Sequence, residues 1–367
     1  MTVSTLRAPN ATVRLGMPSA RLRSIALRSA VTAVAGGLFM VGLVFVWLAL
    51  TNPLEIELRE GSLWILVLAK RAGVDIYDPT QVAFVNMNHG PLDPVLKTWL
   101  STMLPMLPGH VITRCFVLLT PWVFLWAAYV MTRRSLPGAL IAAGGLYLLC
   151  LHVSRLLLVG RSDATALCGM AVCGVLAHQL LVLSSRDWSS RAYLARQIAL
   201  GAAGGVVFLV SWRYFPVPAA LQFVVLVKQI TEPRRPLPRG TSVPRRALAW
   251  CATTLYRASL SIACFFVGFA AIWLPIFFFE LNGDGPSYYR HFFGFFSAES
   301  GWGVVTGAKF QLLPRALWIN RLGAVVAFAA LIVLALYRQR RKPVLLAAWF
   351  VMLAALWVTV CYGYYKN

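Results

Sequence analysis

Apolar runs separated by short basic clusters set the pattern of this chain. Residues 1–28 are polar and carry Arg7, Arg14, Arg21, Arg23 and Arg28; an apolar run follows at 30–50. Further runs lie at about 109–132, 136–160, 164–183, 195–213, 216–230, 249–278, 317–337 and 343–362. Apolar stretches of about eighteen residues or more are the signal of transmembrane helices, and strand-like alternation, the signal of a membrane barrel, is absent. The pattern predicts an all-α fold, a polytopic transmembrane helix bundle of about nine spans. The run at 30–50 is longer than the apolar part of a cleaved signal peptide, typically about 7–15 residues, and reads as a retained first span. Two units result: a basic N-terminus at 1–28 and a transmembrane domain at 29–367, with no soluble domain, low-complexity tract or internal repeat.

One polar interruption differs from the others. Residues 54–94, LEIELREGSLWILVLAKRAGVDIYDPTQVAFVNMNHGPLDP, hold six of the chain's twelve acids: Glu55, Glu57, Glu60, Asp75, Asp78 and Asp93. A carboxylate beside lipid is expensive unless it has a task or a partner. Within the stretch, 58–72 reads as a helix lying along the interface. Acids sit at its start and Lys70 and Arg71 in its last turn, as the helix dipole favours. Gly73 is placed to cap it, and Trp64 suits the headgroup level. Prolines 91, 94, 105 and 108 bracket another segment too short to span. The other large loop is 280–316, whose GDGPSYYRHFFGFFSAESGWG is rich in aromatics and glycine.

Composition and charge sharpen this picture. The chain is 59% hydrophobic and 13% charged over 367 residues, against about 45–50% and 25% in soluble domains. A net charge of +22 invites a nucleic-acid reading, but the cations fall in clusters between spans, as the positive-inside rule expects. With the N-terminus cytoplasmic, twenty Lys/Arg fall inside and twelve outside, while ten of the twelve acids fall outside. The outer face is therefore the expected chemical one. The seven cysteines lie in or beside apolar runs without a CxxC pair, which implies small core residues rather than a disulfide framework or zinc site.

Several residues are candidates for chemistry. Glu57 and Glu60 suit a general base, since lipid nearby raises a carboxyl pKa; equally, they decorate the first turn of an interfacial helix. Asp75, Tyr77 and Asp78 in GVDIYDP are placed to bind substrate, and the same string is good turn chemistry. His89 is placed to hold a phosphate or to bond backbone, and Asp93 to bind or to cap a helix. Arg155 and Arg257 fall within spans, where an unpaired guanidinium is costly; with Arg161 and Arg290 they suit a lipid-linked phosphate or snorkel to headgroups. Asp163 either binds substrate or caps the following helix. Tyr289, Arg290 and His291 lie in the aromatic loop, whose rings stack on sugars or form an interfacial belt. Two His ligands at helical spacing do not occur, so a metal site has little support; no cofactor is expected, and a divalent-metal requirement stays open.

The string LREGSLWILVLAKRAGVDIYDP, followed by NMNHGPLDPVL, resembles the first outer loop of bacterial type C glycosyltransferases. These polytopic enzymes use polyprenyl-phosphate sugars and include protein O-mannosyltransferases and lipid A aminoarabinose transferases. Glu60-Gly61, Gly73 to Tyr77 and Asn86 to Leu92 match the family's acidic-Gly helix start, its Gly-x-x-x-Tyr turn and its Asn/His-rich Pro-Leu segment. GRSDATALCGMAVCGVLAHQLL resembles the Arg-x-Asp-Ala entry into helix 4. The resemblance implies a GT-C-like bundle that moves a sugar from a prenyl-phosphate carrier to a glycan, lipid or protein on the outer face of a bacterial inner membrane. Its partners would be membrane lipid, donor and acceptor, and not nucleic acid. The family's first-loop catalytic residue is often Asp, whereas near helix 1 this chain has only glutamates, so the choice between Glu57 and Glu60 stays open. The chain stops at GYYKN, which reads as a truncated or minimal member. A lipid-linked sugar flippase and a non-catalytic scaffold are the rival readings; a flippase needs polar residues along a path through the bundle.

Overall fold

In the computed structural model, residues 20–54, 59–76, 90–132, 134–153, 162–183, 190–211, 214–231 and 243–280 are described. The basic N-terminal segment to residue 19, the aromatic loop and the runs expected at 317–337 and 343–362 lie outside them. Among the described residues every regular element is helical. Ten α-helices follow in order: α1 (Ala20–Thr51), α2 (Arg59–Arg71), α3 (Leu92–Met103), α4 (Gly109–Thr113), α5 (Cys115–Met131), α6 (Leu136–Val153), α7 (Ser162–Val182), α8 (Arg191–Val210), α9 (Pro216–Thr231) and α10 (Val243–Pro275). A π-helical turn, Ile276–Glu280, extends α10.

Five stretches are long and apolar enough to cross a membrane: Ser24–Thr51, Gly109–Met131, Ser162–Val182, Arg191–Val210 and Trp250–Glu280. The outward faces of α1, α5 and α10 are apolar, with Trp47, Trp122 and Phe266 all exposed. Such a surface suits lipid rather than water. The chain is thus a helical protein built as membrane proteins are.

The long helices form two packed groups. Around α1, α5 and α6, the buried Phe39, Val46, Val117, Phe124 and Ala143 make one core, and Ala164 joins α7 to it. Around α7, α8, α9 and α10, Cys173, Ala177, Leu180, Leu200, Val207, Val225 and Phe265 make the other. Helices α7 and α8 run antiparallel: Gly169 faces Val207 and Gln179 bonds Arg196. Helices α8 and α10 run side by side in one direction, with Tyr193 beside Ser261 and Gly205 beside Phe269 and Ile272. They approach so closely that a Cβ on Gly201 would stand 1.9 Å from the Phe265 carbonyl oxygen. In lipid, where burial against another helix gains little hydrophobic free energy, this small-residue contact is how helices hold together.

The short helices lie across one end of these groups. Helix α2 buries Leu63, Leu66 and Val67 with Ile76 and leaves Ile65 and Leu68 exposed. It packs on α3 and α4. Its end is a Schellman motif: Gly73 takes φ +78°, its N–H bonds the Lys70 carbonyl and the Val74 N–H bonds that of Ala69. The left-handed φ is the reason a glycine stands there. Trp64 covers Gly109, whose Cβ would lie 2.5 Å from the indole. The helix expected at 58–72 and its glycine cap are therefore present, the helix one residue shorter at each end than the pattern predicts.

Candidate functional site

Antiparallel succession brings the C-terminus of α1, the starts of α4, α5 and α7, the end of α8 and all of α2 and α3 to one end of the bundle. Here several buried polar and charged side chains gather among the described residues. Asp93 and Lys97, one turn apart on α3, form a fully buried ion pair at 2.7 Å. The Thr165 hydroxyl of α7 donates to the other oxygen of Asp93 at 3.1 Å. Ser101, Thr113 and Ser162 of α3, α4 and α7 are buried as well, and Cys115 is within electrostatic reach of both Asp93 and Lys97. Asp163 is buried two residues before Thr165, and the Tyr214 hydroxyl donates to its Oδ1 at 2.5 Å.

Neither aspartate caps a helix. Asp93 is the second residue of α3, and Pro91 at the N-cap makes no side-chain bond; α7 begins at Ser162, which puts Asp163 inside its first turn. Their carboxyl oxygens are directed at Lys97, Thr165 and Tyr214 instead, so both capping alternatives are set aside by the helix boundaries.

Arg114 completes this end. Its guanidinium is buried and donates to three carbonyls at the C-terminus of α1: Nη1 to Ala49 at 2.6 Å and Asn52 at 2.7 Å, Nη2 to Leu54 at 2.7 Å. The last carbonyls of a helix lack intrahelical donors, and in an apolar bundle a fork-shaped cation satisfies several at once. Gly90 ties the chain before α3 to the end of α8 through its N–H on the Val210 carbonyl at 2.9 Å. A Cβ there would stand 1.8 Å from the Leu209 oxygen, so only glycine lets the strands of backbone meet. Lys70, in the last turn of α2, pairs with Glu280 at the end of α10.

The predicted site residues divide as follows. Asp93 and Asp163 come together at this end through α3 and α7. Glu60 is the second residue of α2 at the same end, with its side chain outside the described part. Asp75 is half-buried just after α2. Arg257 is the fifteenth of the 33 residues of α10, one turn before Ser261 and 23 residues before Glu280; at about 1.5 Å per residue that is roughly 35 Å. It belongs to the opposite end and does not join the acids. Glu57, Tyr77, Asp78, His89, Arg155, Arg161, Tyr289, Arg290 and His291 lie outside the described residues.

Sequence reasoning passed over four residues that build this end: Lys97, Arg114, Thr165 and Tyr214. Two signals pointed to them: Lys97 stands at i+4 from an acid, and Arg114 is the single cation between a Pro-bracketed turn and an apolar run. It also passed over a second polar layer towards the other end. There the Gln197 and Gln229 amides both donate to the Tyr193 hydroxyl oxygen, the former at 2.9 Å, and Gln229 also reaches Ser261 Oγ at 2.6 Å. Among the described residues no three His, Cys, Asp or Glu side chains gather as a metal site.

No family model, curated protein or solved structure matches the chain.

Proposed function

We propose that the protein is a membrane glycosyltransferase of the GT-C kind. It spans the bacterial inner membrane about nine times with its N-terminus in the cytoplasm. It takes a sugar from a polyprenyl-phosphate carrier and passes it to a glycan, lipid or protein acceptor at the outer face. The observation that supports this reading most is the convergence of acids and cations at one end of the bundle, beside the helix that has Glu60 as its second residue. Asp93 and Asp163 are engaged by Lys97, Thr165 and Tyr214, so they organise that end. Glu60, with Glu57 as the alternative, is left as the base that takes the acceptor proton, by direct displacement at the anomeric carbon. Outer-face cations such as Arg161 and Arg290 would stabilise the leaving phosphate, where charge grows in the transition state.

The test is Glu60→Gln, which keeps shape and removes basicity. Transfer from a membrane extract of prenyl-linked sugars should fall by about 10²-fold or more, with protein level unchanged by immunoblot and Glu55→Gln active. Full activity in Glu60→Gln removes Glu60 from the mechanism and moves the base to Glu57. Labelling of Thr80→Cys from the cytoplasmic side alone would overturn the orientation.

The flippase reading is favoured by one observation, the buried Gln197 of α8 and Gln222 and Gln229 of the shorter apolar α9. Loss of transport with transfer intact in variants of these glutamines would select it.

A further inference from the structure

Helices α1 and α6 meet at Gly144, where a Cβ would stand 3.8 Å from the Ala35 carbonyl oxygen and 3.8 Å from the Phe39 nitrogen. Towards their N-termini they leave a groove of about 420 Å³. Its floor is made of small residues, the buried Ala35 and Gly144. Val31, Val34 and Leu38 of α1 and Ile141 of α6 form its sides, and all four are exposed. No polar side chain lines it.

Two cations stand at one end of this groove. Arg114, just before α5, holds the C-terminus of α1, so α1 and α5 run antiparallel, and the turn at 132–135 folds α6 back along α5. Helices α1 and α6 therefore start at the same end, opposite to that of Asp93 and Asp163. Arg28, Val31, Ala35 and Leu38 recur at i, i+3, i+7 and i+10 and so share one face of α1. Arg134 precedes α6 by two residues. Both arginines are exposed, and among the described residues no carboxylate pairs with either. Arg134 takes the left-handed φ of +64° while its N–H bonds the Tyr129 carbonyl at 2.9 Å. A glycine would hold that conformation without steric cost, so the chain gives up backbone stability to keep a cation at this turn.

We propose that the groove between α1 and α6 holds one acyl chain of an anionic phospholipid, whose phosphate is bound by Arg28 and Arg134. Ala30 and Leu38, both in its lining, are roughly 12 Å apart along the axis of α1. One leaflet takes about 15 Å, half of a hydrocarbon core about 30 Å thick. The groove is thus about one leaflet deep, follows the helix axes as an acyl chain does, and opens sideways where lipid lies. An acyl chain asks for no polar lining, and the headgroup brings the negative charge that the two arginines lack. Guanidinium matches phosphate oxygens bidentately. The site rests on the membrane character of the chain and not on the glycosyltransferase reading, and its place at the end away from Asp93 separates this lipid from the sugar donor.

Photolabelling of the full chain in phosphatidylcholine nanodiscs tests this. Two probes carry a diazirine midway along one acyl chain, one with a phosphatidylglycerol and one with a phosphatidylcholine headgroup. The expected result is that the phosphatidylglycerol probe labels residues 30–38 and 140–144 severalfold more than Leu255 and Phe266, which are exposed on α10. The phosphatidylcholine probe should show no such excess. Arg28→Gln with Arg134→Gly should abolish the excess and leave the labelling of α10 as it was; glycine accepts the left-handed φ at 134, so the fold is kept. Equal labelling of the groove by the two probes overturns the proposal, since the groove would then take any lipid by its apolar surface alone. So does an excess that survives the loss of both arginines. A groove that neither probe labels also overturns it, since another part of the chain or a second copy would then cover it.

Discussion

The two polar layers of this bundle handle the same problem by different chemistry. At one end, charges are buried and paired: Asp93 with Lys97 and Thr165, Asp163 with Tyr214, and the Arg114 guanidinium with three carbonyls. Towards the other end, the layer is neutral. Tyr193, Gln197, Gln229 and Ser261 join α8, α9 and α10 through hydroxyls and amides, and several amide atoms stay unsatisfied within the protein. Full desolvation of a charge costs several kcal/mol per ion, so charge is kept only where partners converge from several helices. A neutral amide costs less to leave incomplete, so it can sit where packing leaves a gap. The buried ion pair and the buried guanidinium thus lie at one end, while at the other Arg196 and Lys228 are only partly buried and bond an amide and backbone carbonyls.

The largest expected effect comes from taking one partner out of the buried ion pair. Lys97→Ala leaves the Asp93 carboxylate unpaired in an apolar site and should cost about 3–5 kcal/mol. Replacing both, Asp93→Leu with Lys97→Met, should recover most of that loss, because the desolvation penalty disappears along with the attraction. Chemical unfolding in detergent reads both. A Lys97→Ala protein of native stability would break the contrast between the two layers.

Arg114→Lys comes next. An ammonium is a point charge and cannot hold carbonyls at residues 49, 52 and 54 together as the planar fork does. One or two buried carbonyls lose their donor, at about 1–3 kcal/mol each. The loss should be local: hydrogen exchange should rise in the last turn of α1 and leave the Tyr193 layer unchanged. A uniform rise along the chain would mean that the two layers are not energetically separate.

Much of this arrangement was legible before the structure. Helices stand where seven of the apolar runs put them, and five stretches have the length and hydropathy to cross a membrane. The α2 cap was readable because Gly73 needs a left-handed φ that few other residues accept. Asp93 and Asp163 were singled out because acids are rare in the chain. Their partners were not, and the reason is physical. Lys97 and Arg114 look like ordinary interfacial cations until α3 is seen to be buried with Asp93 and α1 to end beside Arg114. Tyr214 looks like any interfacial aromatic until the α8–α9 turn carries it to Asp163. The glutamines carried a weak signal in their spacings, 193/197 and 222/229, but an uncharged side chain in an apolar run does not announce whether it faces lipid or a neighbour. Arg257 was grouped with the acids on charge alone; only helix length separates them.

The neutral layer should respond more gently. Tyr193→Phe removes the oxygen on which the Gln197 and Gln229 amides converge. Interhelical hydrogen bonds in membranes average about 0.6 kcal/mol, so the loss should be on the order of 1 kcal/mol for the two. Gln229 keeps Ser261 as a partner, which limits the damage. Thermal unfolding of Tyr193→Phe beside Lys97→Ala places the layers on one scale. A loss as large as that of Lys97→Ala would show that connectivity, and not charge, decides how firmly a layer holds.

The smallest effect is expected at the charged end itself, where Lys70 of α2 meets Glu280 of α10. This pair has the same chemistry as Asp93–Lys97 but about a fifth of each side chain remains exposed, 22% and 20%. Water screens it, and partly exposed pairs contribute roughly 0–1 kcal/mol. Lys70 has a second favourable term, since it sits in the last turn of α2 where the helix dipole attracts a cation. Glu280→Gln removes the pair and keeps that term, so it should cost less than Lys70→Ala. The double exchange Lys70→Glu with Glu280→Lys restores the pair but reverses the sign at the helix end, and should recover only part of the loss. Raising salt to about 1 M, where the screening length falls to about 3 Å, should shrink the Glu280→Gln effect and leave that of Lys97→Ala standing. If salt erased both alike, burial would not be what distinguishes the two ion pairs.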